Sequence, residues 1–183
     1  NDTAGIVLGD ITSEYNSLSE NIVYNNPLMG IDIFPFGVNP NDAGDVDNGC
    51  NGLMNFPVIS SAFYNTGSGI TEVNGTLDYT INGSPAGVKI ELFISDNANA
   101  FSHGDAIQYL GSTTVDGFGN WTFSCTGLTA SDKVTATATD LTGNTSEFAL
   151  NSDIVIGLNE KQKSSENGFG IFPNPSGDVI WVS

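Results

Sequence analysis

Along the middle of the chain, apolar and polar residues alternate with a period of two. "VNGTLDYTI" puts Val73, Leu77, Tyr79 and Ile81 on one side, and "GVKIELFIS" turns Val88, Ile90, Leu92 and Ile94 inward with Lys89 and Glu91 outward. "WTFSC" alternates through Trp121, Phe123 and Cys125, and "KVTATATD" through Val134, Ala136 and Ala138. "IQYLGSTTVD", the turn "DGFGN" and a closing "SEFAL" complete the set. Successive side chains of a strand point to opposite faces, so each run predicts a half-buried strand. Roughly six or seven such strands across 56–149, separated by turn residues, predict a β-sandwich. No stretch carries an apolar stripe at helical period, so the whole chain reads as all-β.

The ends follow other rules. Residues 1–37 hold a faint repeat, in which "GIVL" at Gly5–Leu8 returns 25 residues later as "GIDI" at Gly30–Ile33. Asn16, Asn21, Asn25 and Asn26 punctuate the apolar pieces between them. Asparagine tolerates left-handed turns, and its amide can bond to a neighbouring coil, as a stacked β-solenoid requires. The segment resembles the final coils of a right-handed parallel β-helix, whose earlier coils would precede residue 1. Residues 38–55, with "NPNDAGDVDNGCNG", lack a hydrophobic pattern and read as an acidic junction loop. Residues 150–168 turn polar and read as a linker. Residues 169–183, "FGIFPNPSGDVIWVS", predict a turn and the start of a strand.

Composition sharpens this picture. There are 22 glycines, as suits many short strands joined by turns. Aspartate and glutamate total 21 against four lysines, Lys89, Lys133, Lys161 and Lys163, giving a net charge of −17. Phosphate contacts need lysine and arginine, so nucleic acid is excluded as a partner, and anionic lipid is disfavoured. The carboxylates either keep the protein dispersed in water or, in part, hold a hard cation such as Ca²⁺. No apolar run reaches the roughly 18 residues of a membrane span. The chain opens on the strand-like "NDTAGIVLGD" without an initiator Met or leader, so we expect an internal or C-terminal piece of a longer protein. Cys50 and Cys125 are too few for a disulfide scaffold; Cys125 reads as a small buried hydrophobe, with a Cys50–Cys125 bridge as the alternative in an oxidising compartment.

The order "NFPVISSA … VNGTL … GVKIELFIS … YLGSTTVDGFGNWTFS … VTATATDLTGNTSEFA" resembles the bacterial immunoglobulin-like module that follows β-helices in large secreted proteins. The junction "GIDI … NDAGDVDNGCNG … NFPV" is similar to the usual joint between the two, and the likeness spans about 28–149. "GIFPNPSGDVIWV" resembles the start of the C-terminal sorting domain of type IX secretion in Bacteroidetes, through Phe172, Pro173, Asn174, Pro175 and the strand Val179–Val182. These resemblances imply a secreted or outer-membrane cell-surface protein that is handled by the type IX machinery. They also imply that the sorting domain is truncated here.

The strongest candidate for chemistry is the junction loop. Asp42, Asp45, Asp47 and Asn48 place oxygen side chains at close spacing on a tight loop before Gly49, which suits Ca²⁺. An EF-hand is excluded by the spacing and the missing closing glutamate, and an acidic surface turn is the alternative. Asp96, Asn97, Asn99 and Asp105 form a weaker set, in what reads as an ordinary loop. His103, the only histidine, is expected to be exposed, and no zinc ligands gather with it. No G-x-S-x-G elbow is present, and no pair of acids stands out for glycosidic hydrolysis. Tyr15, Tyr24, Phe34, Phe36, Tyr64 and Tyr109 could stack on an extracellular polysaccharide, or else cap and fill the fold. Sequons at Asn74, Asn82, Asn120 and Asn144 are expected by chance in a turn-rich sandwich. "DTA" at Asp2–Ala4 fits an O-glycosylation pattern that the bacterial resemblance implies. The reading that follows is a non-catalytic spacer or adhesion portion of an exported protein. The rival is the accessory end of a polysaccharide lyase or glycosidase with upstream catalytic coils. The β-helix part has neither arginine nor lysine, and the resemblance implies that a lyase would need a basic residue beside its Ca²⁺.

Overall fold

The alternating runs form strands. The computed structural model describes residues 4–80, 83–96 and 101–157. Strands β3 (Val58–Asn65), β4 (Ile70–Thr76) and β7 (Asn120–Thr126) make one sheet, with β10 (Val155–Gly157) at its edge in the order β10-β3-β4-β7. Strands β5 (Lys89–Ser95), β6 (Ala106–Thr114), β8 (Lys133–Thr139) and β9 (Ser152–Asp153) make the other, in the order β6-β5-β8-β9. Within both sheets the pairs are antiparallel, except that β10 runs parallel to β3. No helix among the described residues is long and apolar enough to cross a membrane.

The faces that meet are the ones the alternation marks. Val73, Trp121 and Ala62 come from one sheet, and Ile90, Leu92, Val134, Ala136 and Ala138 from the other, with Leu77, Tyr79 and Val88 from the connections. Each is at most 3% exposed, and full burial of a large aliphatic side chain contributes about 1.5–3 kcal/mol. Phe123 and Cys125 pack at the margin of this core, and Ile81 lies outside the described residues. Gly75 sits where the Trp121 ring crosses β4; a Cβ there would collide with the ring and with the Val58 carbonyl.

The outer face of the second sheet departs from expectation. Glu91 points away from the sandwich core, yet it is 1% exposed. Phe93, beside it on the same face, is 2% exposed. The N-terminal segment covers them. Phe93, Ala106 and Phe148 form a second core with Ile31, Ile33 and Cys50, against which Ile6, Leu8, Leu18, Leu53 and Tyr109 pack. Phe93 meets Phe148 edge to face at 5.5 Å between centroids. Strand β5 is therefore buried on both sides, like a central strand of a three-layer protein.

The 25-residue echo is a pairing register. Strands β1 (Ile6–Leu8) and β2 (Ile31–Ile33) are parallel, with Ile6 opposite Ile31 and Leu8 opposite Ile33. Between them the backbone is left-handed at Tyr15, Glu20 and Asn25, each followed by an asparagine. Of the four expected corner asparagines, only Asn25 itself takes that conformation. Val23 joins the second sheet through a bridge to Ala106.

At the other end, "SEFAL" is not a strand. Ser146 and Ala149 bond back to Ala138 and Ala136 through their backbones, and the closing strands are β9 and β10. The stretch read as linker from residue 150 thus carries sandwich strands as far as Gly157. Cys50 and Cys125 are free thiols, one in each core, so the bridge considered between them does not form. The sorting-signal residues Phe172, Pro173, Asn174 and Pro175 lie outside the described residues.

Candidate metal centre and the buried carboxylates of the junction

The junction loop is held by side chains near its own two ends and by Thr80, beyond β4. Asn41 and Phe56 exchange two hydrogen bonds: Asn41 Nδ2 donates to the Phe56 carbonyl at 2.8 Å, and Phe56 N donates to Asn41 Oδ1 at 3.0 Å. The Asn55 side chain accepts from Asp42 N and donates to the carbonyls of Asp42 and Asp78. Thr80 donates to the Gly44 carbonyl from both its backbone and its hydroxyl. A left-handed φ of 60° at Asp45 turns its carboxyl inward, a conformation aspartate tolerates better than most residues.

This scaffold gathers Asp42, Asp45 and Asp47. One carboxylate oxygen from each lies within 4.8 Å of those of the other two. Asp42 Oδ2 accepts from Val46 N, and Asp45 Oδ1 accepts from Asn55 N. Asp42 Oδ1 and Asp47 Oδ1 are shielded from solvent and receive no hydrogen bond. Asp45 is 1% exposed. Burial pushes its carboxyl up to about 7 against the opposing Asn55 bond, and the charges of Asp47, Asp42 and Asp140 add to the rise. Burial, then Asp42, raises Asp47 as well. Three close acids, one of them buried, favour a proton or a cation among them. Asn48 is exposed at the following position.

Other buried acids serve a different purpose. Glu147, 2% exposed, accepts from Ile33 N, Asn39 N and Asn39 Nδ2 at 3.0–3.1 Å. Burial lifts it to about 7; the Asn39 and Ile33 bonds oppose this, and Asp32 adds to it. Glu91 accepts from Ser19 Oγ, Glu20 N and Lys89 Nζ. Asp105, fully buried, accepts from Asn26 N and Nδ2. Asn51, also fully buried, accepts from Asn16 N and Nδ2 and donates to the carbonyls of Asn16 and Thr145. Tyr15 N and Leu18 N end on Asn144 Oδ1 and Thr145 Oγ1. The N-terminal segment has little ladder of its own, and side chains of the sandwich and the junction satisfy its backbone donors.

The remaining candidates sort accordingly. Asp96 and Asp105 bind backbone donors of the N-terminal segment, and Asn97 and Asn99 lie outside the described residues. His103 is 8% exposed, contrary to expectation. Its Nδ1 bonds to the Phe148 carbonyl at 2.8 Å, its ring meets Phe56 edge-on, and burial holds its pKa below the usual value. Tyr15, Tyr24, Phe34 and Phe36 are exposed, the last two stacked edge to face, whereas Tyr64 and Tyr109 pack against the two cores. Asn144 is 9% exposed and bonded through both ends of its amide, Asn74 bonds to Thr122 and Glu72, and Asn120 is exposed. Asn82, Asp2 and Thr3 lie outside the described residues.

The roles of Glu91, Glu147 and Asp105 are not visible in the sequence, because alternation places such acids on an outer face. The available signal is Phe93, a large apolar residue on that same outer face of β5. Compared with known proteins, the chain matches no family model and no curated relative.

Proposed function

We propose that the chain is a rigid, non-catalytic connector, the spacer or adhesion portion of an exported cell-surface protein. The observation that carries this reading is the set of buried carboxylates and amides that bond the N-terminal segment to the sandwich. Glu91, Asp105, Glu147 and Asn51 are each at most 2% exposed and each bonds backbone N–H groups of that segment. Acids placed this way fix one segment against another and are withheld from substrate.

The finer assignments belong to the same reading. The sheets divide β3, β4 and β7 from β6, β5, β8 and β9, a division shared with immunoglobulin-like sandwiches. The parallel β1–β2 pair at 25-residue register is compatible with a coil of a parallel β-helix. The export and surface address rests on the likeness of residues 169–183 to a type IX sorting domain. The exposed aromatics Tyr15, Tyr24, Phe34 and Phe36 are the side chains available to an extracellular ligand.

The connector reading is tested by spin labels at Ile11→Cys and Thr126→Cys on a Cys125→Ser background, where Cys50, fully buried, stays unlabelled. A narrow distance distribution between the labels is expected. A broad one would show a flexible tether and overturn the reading.

A further inference from the structure

We propose that β7 is a docking edge on which a second copy of this chain pairs, strand to strand and antiparallel, joining the two sandwiches. The sheets of the sandwich leave several edges open, and an open edge templates further pairing unless something blunts it. Most are blunted here. Strand β10 is three residues long and β9 two. The part of β3 that β10 leaves open is bulged between Ile59 and Ser61. Strand β6 shifts register twice and is bridged by Val23 at Ala106. Strand β7 has none of these devices. It runs seven residues in one unbroken register with β4, and no other described strand pairs with it. The stretch 117–131 that contains it carries no charged residue and no proline, in a chain of net charge −17.

The hydrogen-bond phase decides which groups the edge offers. Leu77 N donates to the Gly119 carbonyl at 2.8 Å, and the pairing continues from there without a shift. Bonding alternates along an antiparallel pair, so Trp121, Phe123 and Cys125 bond to β4 through their backbones, while Thr122, Ser124 and Thr126 turn their N–H and C=O groups outward. A second β7 fits this row. About a two-fold axis at Phe123, Thr122 N donates to the carbonyl of the partner's Ser124, and the partner's Ser124 N donates to the Thr122 carbonyl; the same bonds recur across the axis. A charged partner finds no counter-charge on this strand, whereas a second β7 supplies the same uncharged row. Glu72, opposite Ser124 on β4, and its counterpart are three strand spacings apart, at least about 14 Å, beyond the Debye length of about 8 Å at physiological ionic strength. Phe118 is the most exposed of the large apolar side chains described, at 92%, and this register sets its turn beside the end of the partner's β7. The pairing uses the sandwich alone, so it stands apart from the connector reading.

A single strand-to-strand contact is smaller than the roughly 1,200 Å² at which stable interfaces begin, so the dimer is a weak and reversible one. Sedimentation equilibrium of the full chain from about 10 µM to about 1 mM should show a monomer–dimer equilibrium with its dissociation constant in that range. Ser124→Pro removes an outward N–H that β4 does not use, a position where an edge strand tolerates proline. It should weaken the dimer at least about tenfold while keeping the circular dichroism of the parent. A second measurement does not depend on how that variant folds. Thr122→Cys and Ser124→Cys proteins, each on a Cys125→Ser background, are mixed under mild oxidation; Cys50 is fully buried and stays silent. The mixed disulfide should form faster than a disulfide within either protein alone, because Thr122 faces the partner's Ser124. A chain that stays monomeric at about 1 mM, a dimer undiminished in folded Ser124→Pro, or cross-linking without preference for the mixture would overturn the proposal.

Discussion

Single residues carry unequal weight here. Glu147 accepts three hydrogen bonds from β2 and the junction, and its folded pKa is raised from 4.5 to about 7 by burial, with Asp32 as the facing charge. The folded state then holds a proton that the unfolded chain has released. Stability contributed by that proton is present below pH ~4.5 and is lost as pH rises towards 7. Melting curves at pH 5 and pH 8 should therefore show the parent losing more stability than Glu147→Gln, by on the order of 3 kcal/mol at most. An equal loss in both proteins would assign the effect elsewhere. Gly75 is a second such point. Gly75→Ala forces the Trp121 ring and the Val58 carbonyl apart, so urea unfolding should show a loss of about 2 kcal/mol.

Among the elements, β5 is the one on which both cores are built. Its inner residues, Ile90 and Leu92, are legible in the sequence because alternation marks them. Its outer residues, Glu91 and Phe93, are not, because alternation says which face a side chain takes and not what covers that face. The 25-residue echo does give the β1–β2 register, since the parallel neighbours repeat the same apolar pair 25 residues apart. The route between them is not legible: the left-handed corners fall on Tyr15 and Glu20 as well as Asn25, and only the five-residue spacing of the asparagines that follow hints at them. At the site, the three aspartates are legible from spacing alone, but their scaffold of Asn41, Asn55 and Thr80 comes from both sides of β3 and β4 and needs the fold. Phe93→Ala tests the second layer. It should cost about 3–5 kcal/mol, and exchange of the Ile31 and Ile33 amides should accelerate by the same factor as that of the Val73 amide on the far sheet.

For the whole molecule, the two cores share the sheet formed by β6, β5, β8 and β9, and the N-terminal segment is the third layer over it. The acidic composition is used in part for this purpose, with carboxylates replacing the missing ladder partners of an irregular segment. On the proposed connector reading, segment and sandwich unfold together as one unit. Native-state hydrogen exchange measures this, through the amides of Asn16, Leu18, Glu20, Ile33 and Asn39 compared with those of β5 and β8. Both groups should exchange with the same opening free energy and the same denaturant dependence. If the N-terminal amides exchange through low-energy local openings while β5 and β8 stay protected, the segment is a loose strap and the molecule is not a rigid connector.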